Sequence, residues 1–406
     1  MENATIEKAT KPGLSVPRRL VLLMSVCTGM SVGSLYYAQP LLDSIRRSFQ
    51  IGTGTAGFIV SVTQIGYISG LVLLVPLGDM FVRRRLIPLM AVGLAACLAL
   101  VSLSPSAGLL MAGFLLVGAL SVAAQITVAF AASLASDADR GRIVGTVMSG
   151  LLLGVLLART AAGYLADLGG WRTPFRVAAV LMAVLALVLW RQLPTDGERP
   201  PVRYLRGLVS VPVLLKEEPL ILLRSAYGAA AFGAFNALWT PLAFLLSGPP
   251  YRYSTSTIGL FGLLGVAGAV TASFAGRFAD RGGARRMTGA TSALMLLSWI
   301  PIAIGRHHLM PLIVGIVVLD FAVQGLHITN QTLIYGVRPE ARSRITSAYM
   351  SLYFVGGVIG SVSASAAYSA GGWAATSAVG AVFGAASVGL WAAGTVRRRV
   401  LERAAA

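Results

Sequence analysis

Twelve mainly apolar runs, separated by short polar connections, fill the chain almost from end to end. They lie near 20–42, 55–77, 86–104, 108–134, 143–166, 174–192, 219–247, 256–278, 287–305, 309–334, 344–368 and 373–396. A helix needs roughly 20 apolar residues to cross a bilayer, and its internal hydrogen bonds satisfy the backbone where no water can. The expected fold is an all-α membrane protein of twelve transmembrane helices. Composition agrees: 56% of the 406 residues are hydrophobic and 12% are charged, against about 25% charged in a soluble protein. The net charge of +18 would suggest nucleic acid in a soluble chain. Here the basic residues cluster between apolar runs, so they set topology, and no nucleic-acid partner is expected.

The connection near 193–218 is the longest, carries Pro194, Pro200 and Pro201, and divides the runs six and six. The expected organisation is an N-terminal six-helix bundle over 1–192, a cytoplasmic linker over 193–218 and a C-terminal six-helix bundle over 219–406. Basic loops stay on the cytoplasmic side. Twenty-five basic residues fall on the side carrying both termini and six on the other; Arg159 and Arg224 remain inside or near the membrane. Both termini are therefore expected in the cytoplasm. Residues 1–18 are polar and the first apolar run is too long for a cleaved signal, so it is expected to stay as the first helix.

One run carries chemistry. Asp320, Gln324, His327 and Gln331 are spaced i, i+4, i+7, i+11 and share one helical face. A carboxylate at mid-bilayer costs roughly 2.5–3.5 kcal/mol on insertion scales, so this stripe should face a watery cavity. Of 15 acidic residues only Asp320 lies deep in a run. A carboxyl taken out of water favours its neutral form, so it can hold a proton and release it as water access alternates. Asp320 is expected to carry the proton, with His327 as relay or second site. The plainer readings are a fixed ion pair or packing bond for Asp320 and a satisfied packing group for His327. Arg159 either holds an anionic substrate, pairs with Asp320, or snorkels to the interface. Arg224 reads as a snorkelling anchor. Cys27 and Cys97 sit inside runs, with no metal-ligand spacing. No phosphate-cradling glycine loop is present, no cofactor is expected, and one deep carboxyl with one deep histidine is too little for an enzyme.

The chain also repeats itself. Pro40 and Asp79 recur 201 residues later as Pro241 and Asp280. At an offset of 202, Arg140, Arg142, Met148, Ser149, Gly154 and Gly169-Gly170-Trp171 reappear as Arg342, Arg344, Met350, Ser351, Gly356 and Gly371-Gly372-Trp373. An even helix number gives two repeats of the same orientation, related by an axis along the membrane normal; transporters built this way bind solute at the midplane. Gly150, Gly154 and Gly163, and Gly356, Gly357 and Gly360, are spaced for close helix contact, either as a sliding interface between bundles or as static packing. Trp171 and Trp373 read as interfacial anchors.

With these features the chain resembles the major facilitator superfamily of transporters from about residue 20 to 396. The second repeat carries the family's loop signature as Gly276, Asp280, Arg281, Gly283, Arg285 and Arg286; the first keeps Asp79, Arg83 and Arg84 but has Val75, Met80 and Val82 at the other positions. The chain also resembles the arabinose-efflux-like (YNFM-type) bacterial branch, through Tyr36-Tyr37-Ala38-Gln39-Pro40, the run from Gly150 to Thr160, and Asp320, Gln324, His327, Asn330 and Gln331. The helix-four arginine of proton-coupled drug antiporters is absent, with Gly113 and Phe114 in that region.

The resemblance implies a bacterial inner-membrane, multi-pass monomer that moves a small organic solute by alternating access, driven by protons. Export is the expected mode and proton-coupled import the alternative. It also implies that helices one, four, seven and ten line the cavity. The substrate residues would then be Tyr36, Tyr37, Gln39, Gln125, Asn236, Trp239, Gln324, Asn330 and Gln331. Asp320, His327 and Arg159 would couple the proton. The two loop signatures, from Asp79, Arg83 and Arg84 and from Gly276 to Arg286, would act as gates.

Overall fold

A computed structural model of the chain describes residues 16–136, 139–195, 214–265, 283–337 and 342–404. Among them all regular structure is helical. The first half comprises α1 (Arg18–Gly33), α2 (Leu42–Phe49), α3 (Thr53–Leu73), α4 (Leu77–Met80), α5 (Arg83–Leu103), α6 (Ala107–Ser121), α7 (Ala123–Leu134), α8 (Arg140–Gly169) and α9 (Thr173–Gln192). The second comprises α10 (Pro219–Trp239), α11 (Leu242–Ser247), α12 (Thr255–Leu260), α13 (Ala284–Leu297), α14 (Trp299–Ile304), α15 (Leu309–Tyr335) and α16 (Arg342–Ala404).

Nine stretches among the described residues are long and apolar enough to cross a membrane. The longest, Arg344–Thr395, has 52 residues, or roughly 78 Å of helix, enough for two crossings. It breaks at Gly371 and at Gly372, whose φ of 64° and ψ of −151° suit glycine alone. Position 170, the equivalent in the first repeat, ends α8 at a φ of 82° and is also glycine. The sequence repeat therefore makes the same turn twice. Among the described residues α1, of 16 residues, and the apolar segment Thr255–Gly265 are shorter than these nine.

Large apolar side chains line the outside of the bundle. Leu103 is 71% exposed and Met310 69%, a belt that water would not tolerate at this extent and lipid would. Inside each half, small residues bring helix backbones together. A Cβ on Gly154 would strike the backbone of Gly29 in α1, and one on Gly356 would strike Ala229 in α10. Gly150 meets Ser25 and Gly360 meets Gly233 in the same way. These four glycines therefore pack α8 on α1 and α16 on α10 within a half, and the sliding-interface reading fails for them. Gly163, against Thr255, and Gly357, against Gln64, do face the other half.

Two other expectations change. Trp171 is 6% exposed and packs edge-on to Phe175, with Arg172 over its ring at 4.3 Å. Trp373 is 2% exposed and its Nε1 donates to the Ile302 carbonyl at 2.7 Å. Both are core residues at helix corners and not interfacial anchors.

Candidate functional site

The end of α10 brings the two deep charges to one indole. Arg159, on α8, is 4% exposed, so it does not snorkel. Its Nε donates to Gln39 Oε1 at 2.6 Å. Its guanidinium carbon lies 4.2 Å from the ring centre of Trp239, 4.7 Å from Tyr36 and 5.5 Å from Phe235. A desolvated cation held against aromatic faces gains about 2 kcal/mol from the ring quadrupole. On the other side, Trp239 Nε1 donates to Asp320 Oδ1 at 3.2 Å. Asp320 is 3% exposed. Ion pairs within 4.0 Å between described residues join Asp43 to Arg46 and Arg47, Asp79 to Arg83, and Asp139 to Arg142. Arg159 and Asp320 thus share Trp239 without touching. A small hollow lies here, lined by Gln39, Pro40, Arg159, Trp239, Leu242, Ala243 and Ile258.

The other predicted residues fall around this centre in different ways. Asn236 is fully buried and accepts from Gln64 Nε2 of α3 at 2.6 Å, a bond between the halves. Gln125 Nε2 donates to the Tyr67 hydroxyl at 3.1 Å, and Tyr67 packs on Phe354 across the seam at 4.3 Å. His327 Nδ1 bonds the Tyr349 hydroxyl at 2.9 Å and its ring lies 4.8 Å from Tyr353. Asn330 is fully buried, while Gln324 and Gln331 are half-buried on the same helix. Tyr37 turns to Phe175 within the first half, 6.4 Å between ring centres, and does not join Tyr36 at Arg159. Gln64, Phe235, Tyr349 and Tyr353 were not anticipated, because helical periodicity within one run does not reveal which neighbour a side chain meets.

A polar seam joins the halves on the side away from Arg18. Thr53 and Ser369 hydroxyls bond at 2.6 Å, Ser61 and Ser361 at 2.5 Å, and Thr160 Oγ1 donates to the Gly259 carbonyl at 3.0 Å. Asp167, at the end of α8, accepts from the Thr255 hydroxyl and from the Ser256 backbone N–H at 3.0 Å. Its carboxylate therefore sits on the N-terminal turn of α12, where the helix dipole favours an anion. Asp167 and Ser369 are 202 residues apart, as are Thr53 and Thr255, so the two fastenings are the same contact in two repeats. Asp167 also went unanticipated, because a carboxylate at a helix end reads as ordinary surface charge.

At the start of α5, Arg83 pairs with Asp79 of α4 at 2.9 Å. The same guanidinium donates to the Gly78 carbonyl at 2.8 Å and to the Ala129 carbonyl at 3.3 Å. Ala129 lies in the last turns of α7, where a cation complements the dipole. Arg84 donates to Thr195 at 2.6 Å. In the second copy Gly283 precedes α13, and the Arg285 carbonyl accepts from Trp391 at 3.1 Å. Arg286 is exposed on the same turn. Gly276, Asp280 and Arg281 lie outside the described residues. Arg224 is half-buried and donates to Thr288 at 3.0 Å, so it points into the bundle and is not a snorkelling anchor.

The sequence profile described as Major Facilitator Superfamily matches residues 21–281 and 244–405. The uncharacterized transporter YgaY of Escherichia coli O157:H7 is 49% identical over 382 residues, covering 94% of this chain and 97% of its own. A Helicobacter pylori protein named a probable sugar efflux transporter is 22% identical over 324 residues, 78% of this chain and 80% of its own. Among solved structures, a bacterial homologue of the human lysosomal transporter Spinster, in an inward-facing and occupied conformation, superposes with a TM-score of 0.78 at 14% identity, covering 95% of this chain and 97% of that one. With its helical bundle, its apolar belt and its doubled turn, the chain belongs to the Major Facilitator Superfamily and is a multi-pass membrane transporter.

Proposed function

We propose that this transporter exports a small organic solute by alternating access, with Asp320 carrying the coupling proton. The two six-helix units, 1–192 and 219–406, rock about the seam, with 193–218 joining them in the cytoplasm, where both termini also lie. The observation that carries the reading is Trp239, which holds a buried guanidinium on its face and a buried carboxylate on its N–H. A carboxylate without a cation in contact is the group best placed to take up a proton when water reaches it. Export is supported by distant relatives named as sugar efflux transporters.

In this conformation the outer seam is shut and the site lies beneath it. Opening must break the Asp167, Ser61 and Thr53 fastenings and bring water to Asp320 from the other side. His327 is seven residues from Asp320, about 10 Å along the helix axis, so hand-over between them requires water in the cavity. The loop around Asp79, Arg83 and Arg84, and its counterpart through Arg285 and Arg286, stiffen the inner ends during the motion. Substrate contacts fall to Tyr36, Gln39, Trp239 and the Gln324–Gln331 face, with Gln125 and Asn236 at the seam. At 100 mV one proton supplies roughly 2.3 kcal/mol, enough for a neutral solute gradient of about fifty-fold.

Proton-coupled import is the second reading, and charge balance favours it for one solute class. If Asp320 takes a proton, Arg159 is left as an uncompensated buried cation; an anion arriving with the proton restores neutrality. The deciding experiment reconstitutes the protein in liposomes with a trapped pH dye and screens sugars, amino acids and organic acids. Solute export should drive protons inward. Protons moving with the solute establish the second reading, and solute flux with no proton movement overturns both.

A further inference from the structure

Arg159 has more hydrogen-bonding capacity than its surroundings use. Nε is satisfied by Gln39. Nη2 is buried and has no hydrogen-bond partner. A buried N–H of a guanidinium without an acceptor is costly and uncommon, and in native proteins it marks a place where a partner belongs. The flat faces of the group are covered by Trp239, Tyr36 and Phe235, which leaves its N–H edge for a ligand. Arg159 lines the hollow together with Gln39 and Pro40, and the remaining wall is Trp239, Leu242, Ala243 and Ile258. In this conformation the hollow is narrow, with about 10 Å³ of free volume, the size of one water molecule, so a larger ligand enters only as its walls part.

The nearest acid is of no use to that edge. Asp320 is held by the Trp239 N–H on the far side of the ring, and no ion pair within 4.0 Å joins it to Arg159. A planar N–H edge recognises a carboxylate by charge-assisted hydrogen bonds, and it has no acceptor to offer an uncharged hydroxyl's proton. The apolar remainder of the wall suits a ligand whose body is not itself polar.

We propose that the Arg159 hollow binds the carboxylate of a small organic anion, which makes this class the transported solute. The inference rests on the carrier reading of the same site in its second form, in which proton and solute move together. Asp320 and the anion then compete for the field of one cation, so the anion binds best when Asp320 is neutral. Asp320→Asn fixes that neutral state.

The test uses the full chain, purified in detergent, and calorimetric titration with acetate, butyrate and benzoate, each against its own amide. The expected result is that at least one acid binds about tenfold or more tightly than its amide. Asp320→Asn should keep or strengthen that preference. Arg159→Gln should erase it, and Arg159→Lys, which keeps the charge, should retain part of it. Wild-type protein that binds acid and amide alike, or binds none of the acids, overturns the proposal without any appeal to a variant. Liposome flux separates the two levels. A neutral pentose carried at wild-type rate by Arg159→Gln overturns the anion assignment and leaves the carrier intact. Carboxylate binding with no flux of any solute supports the anion site and removes the carrier.

Discussion

Trp239 is the residue on which two charges depend, and its two roles can be separated. Phenylalanine keeps an aromatic face near Arg159 but removes the N–H that Asp320 accepts. Hydrogen bonds to charged groups contribute about 1.5–3 kcal/mol, so Trp239→Phe should lower proton-coupled flux by roughly tenfold or more. Flux in proteoliposomes at matched protein density measures it; an unchanged rate would mean that the indole only fills space. Asp320, His327 and Arg159 were all legible in the sequence, because a polar group inside an apolar run has few reasons to be there. What lay between them was not: Trp239 appeared only as one aromatic among several, and Phe235 and Tyr353 were indistinguishable from lipid-facing residues. Tyr36 and Tyr37 show the limit, since adjacent residues of one type point to different neighbours.

Helix α8 holds both kinds of glycine contact, and substitutions along it should give opposite results. Gly154 presses on Gly29, and a side chain there meets backbone that cannot move aside. Gly154→Val should destabilise the fold by about 1–3 kcal/mol, read as a lowered melting temperature in detergent. Gly145, on the same helix, has nothing within 4 Å of a built Cβ. Gly145→Ala should be neutral or stabilising by roughly 0.5–1 kcal/mol. At the far end of α8, Asp167 fastens α12. Removing its charge weakens an interaction with a helix N-terminus of about 0.3–1 kcal/mol. Asp167→Asn should therefore raise outward opening roughly two- to fivefold, measured as faster maleimide labelling of Ala243→Cys in a chain with Cys27 and Cys97 replaced by Ala. Equal labelling rates would remove Asp167 from the latch. Spacing in the sequence announced the glycines but not which helix each would meet, so four of the six belong inside a half.

At the scale of the molecule, the two halves of the sequence meet along a polar seam among the described residues. Twelve apolar runs, the 202-residue repeat and the doubled Gly-Gly-Trp corner anticipate the family fold, and the equivalence of the Asp167–Thr255 and Ser369–Thr53 contacts extends the repeat into three dimensions. The closed state was not legible, since one sequence must serve every conformation of a cycle. The Ser61–Ser361 contact at 2.5 Å offers a direct handle on that cycle. A Ser61→Cys, Ser361→Cys pair should cross-link under mild oxidant and stop transport, and reductant should restore it. Transport that continues with the halves cross-linked would contradict rocking about this seam. The central claim, that Asp320 carries the proton that moves with each cycle, is tested most directly by uphill solute accumulation in proteoliposomes across a range of pH. Asp320→Asn should still exchange solute down its gradient but lose accumulation and its pH dependence together. Accumulation by Asp320→Asn with the wild-type pH profile would contradict the account.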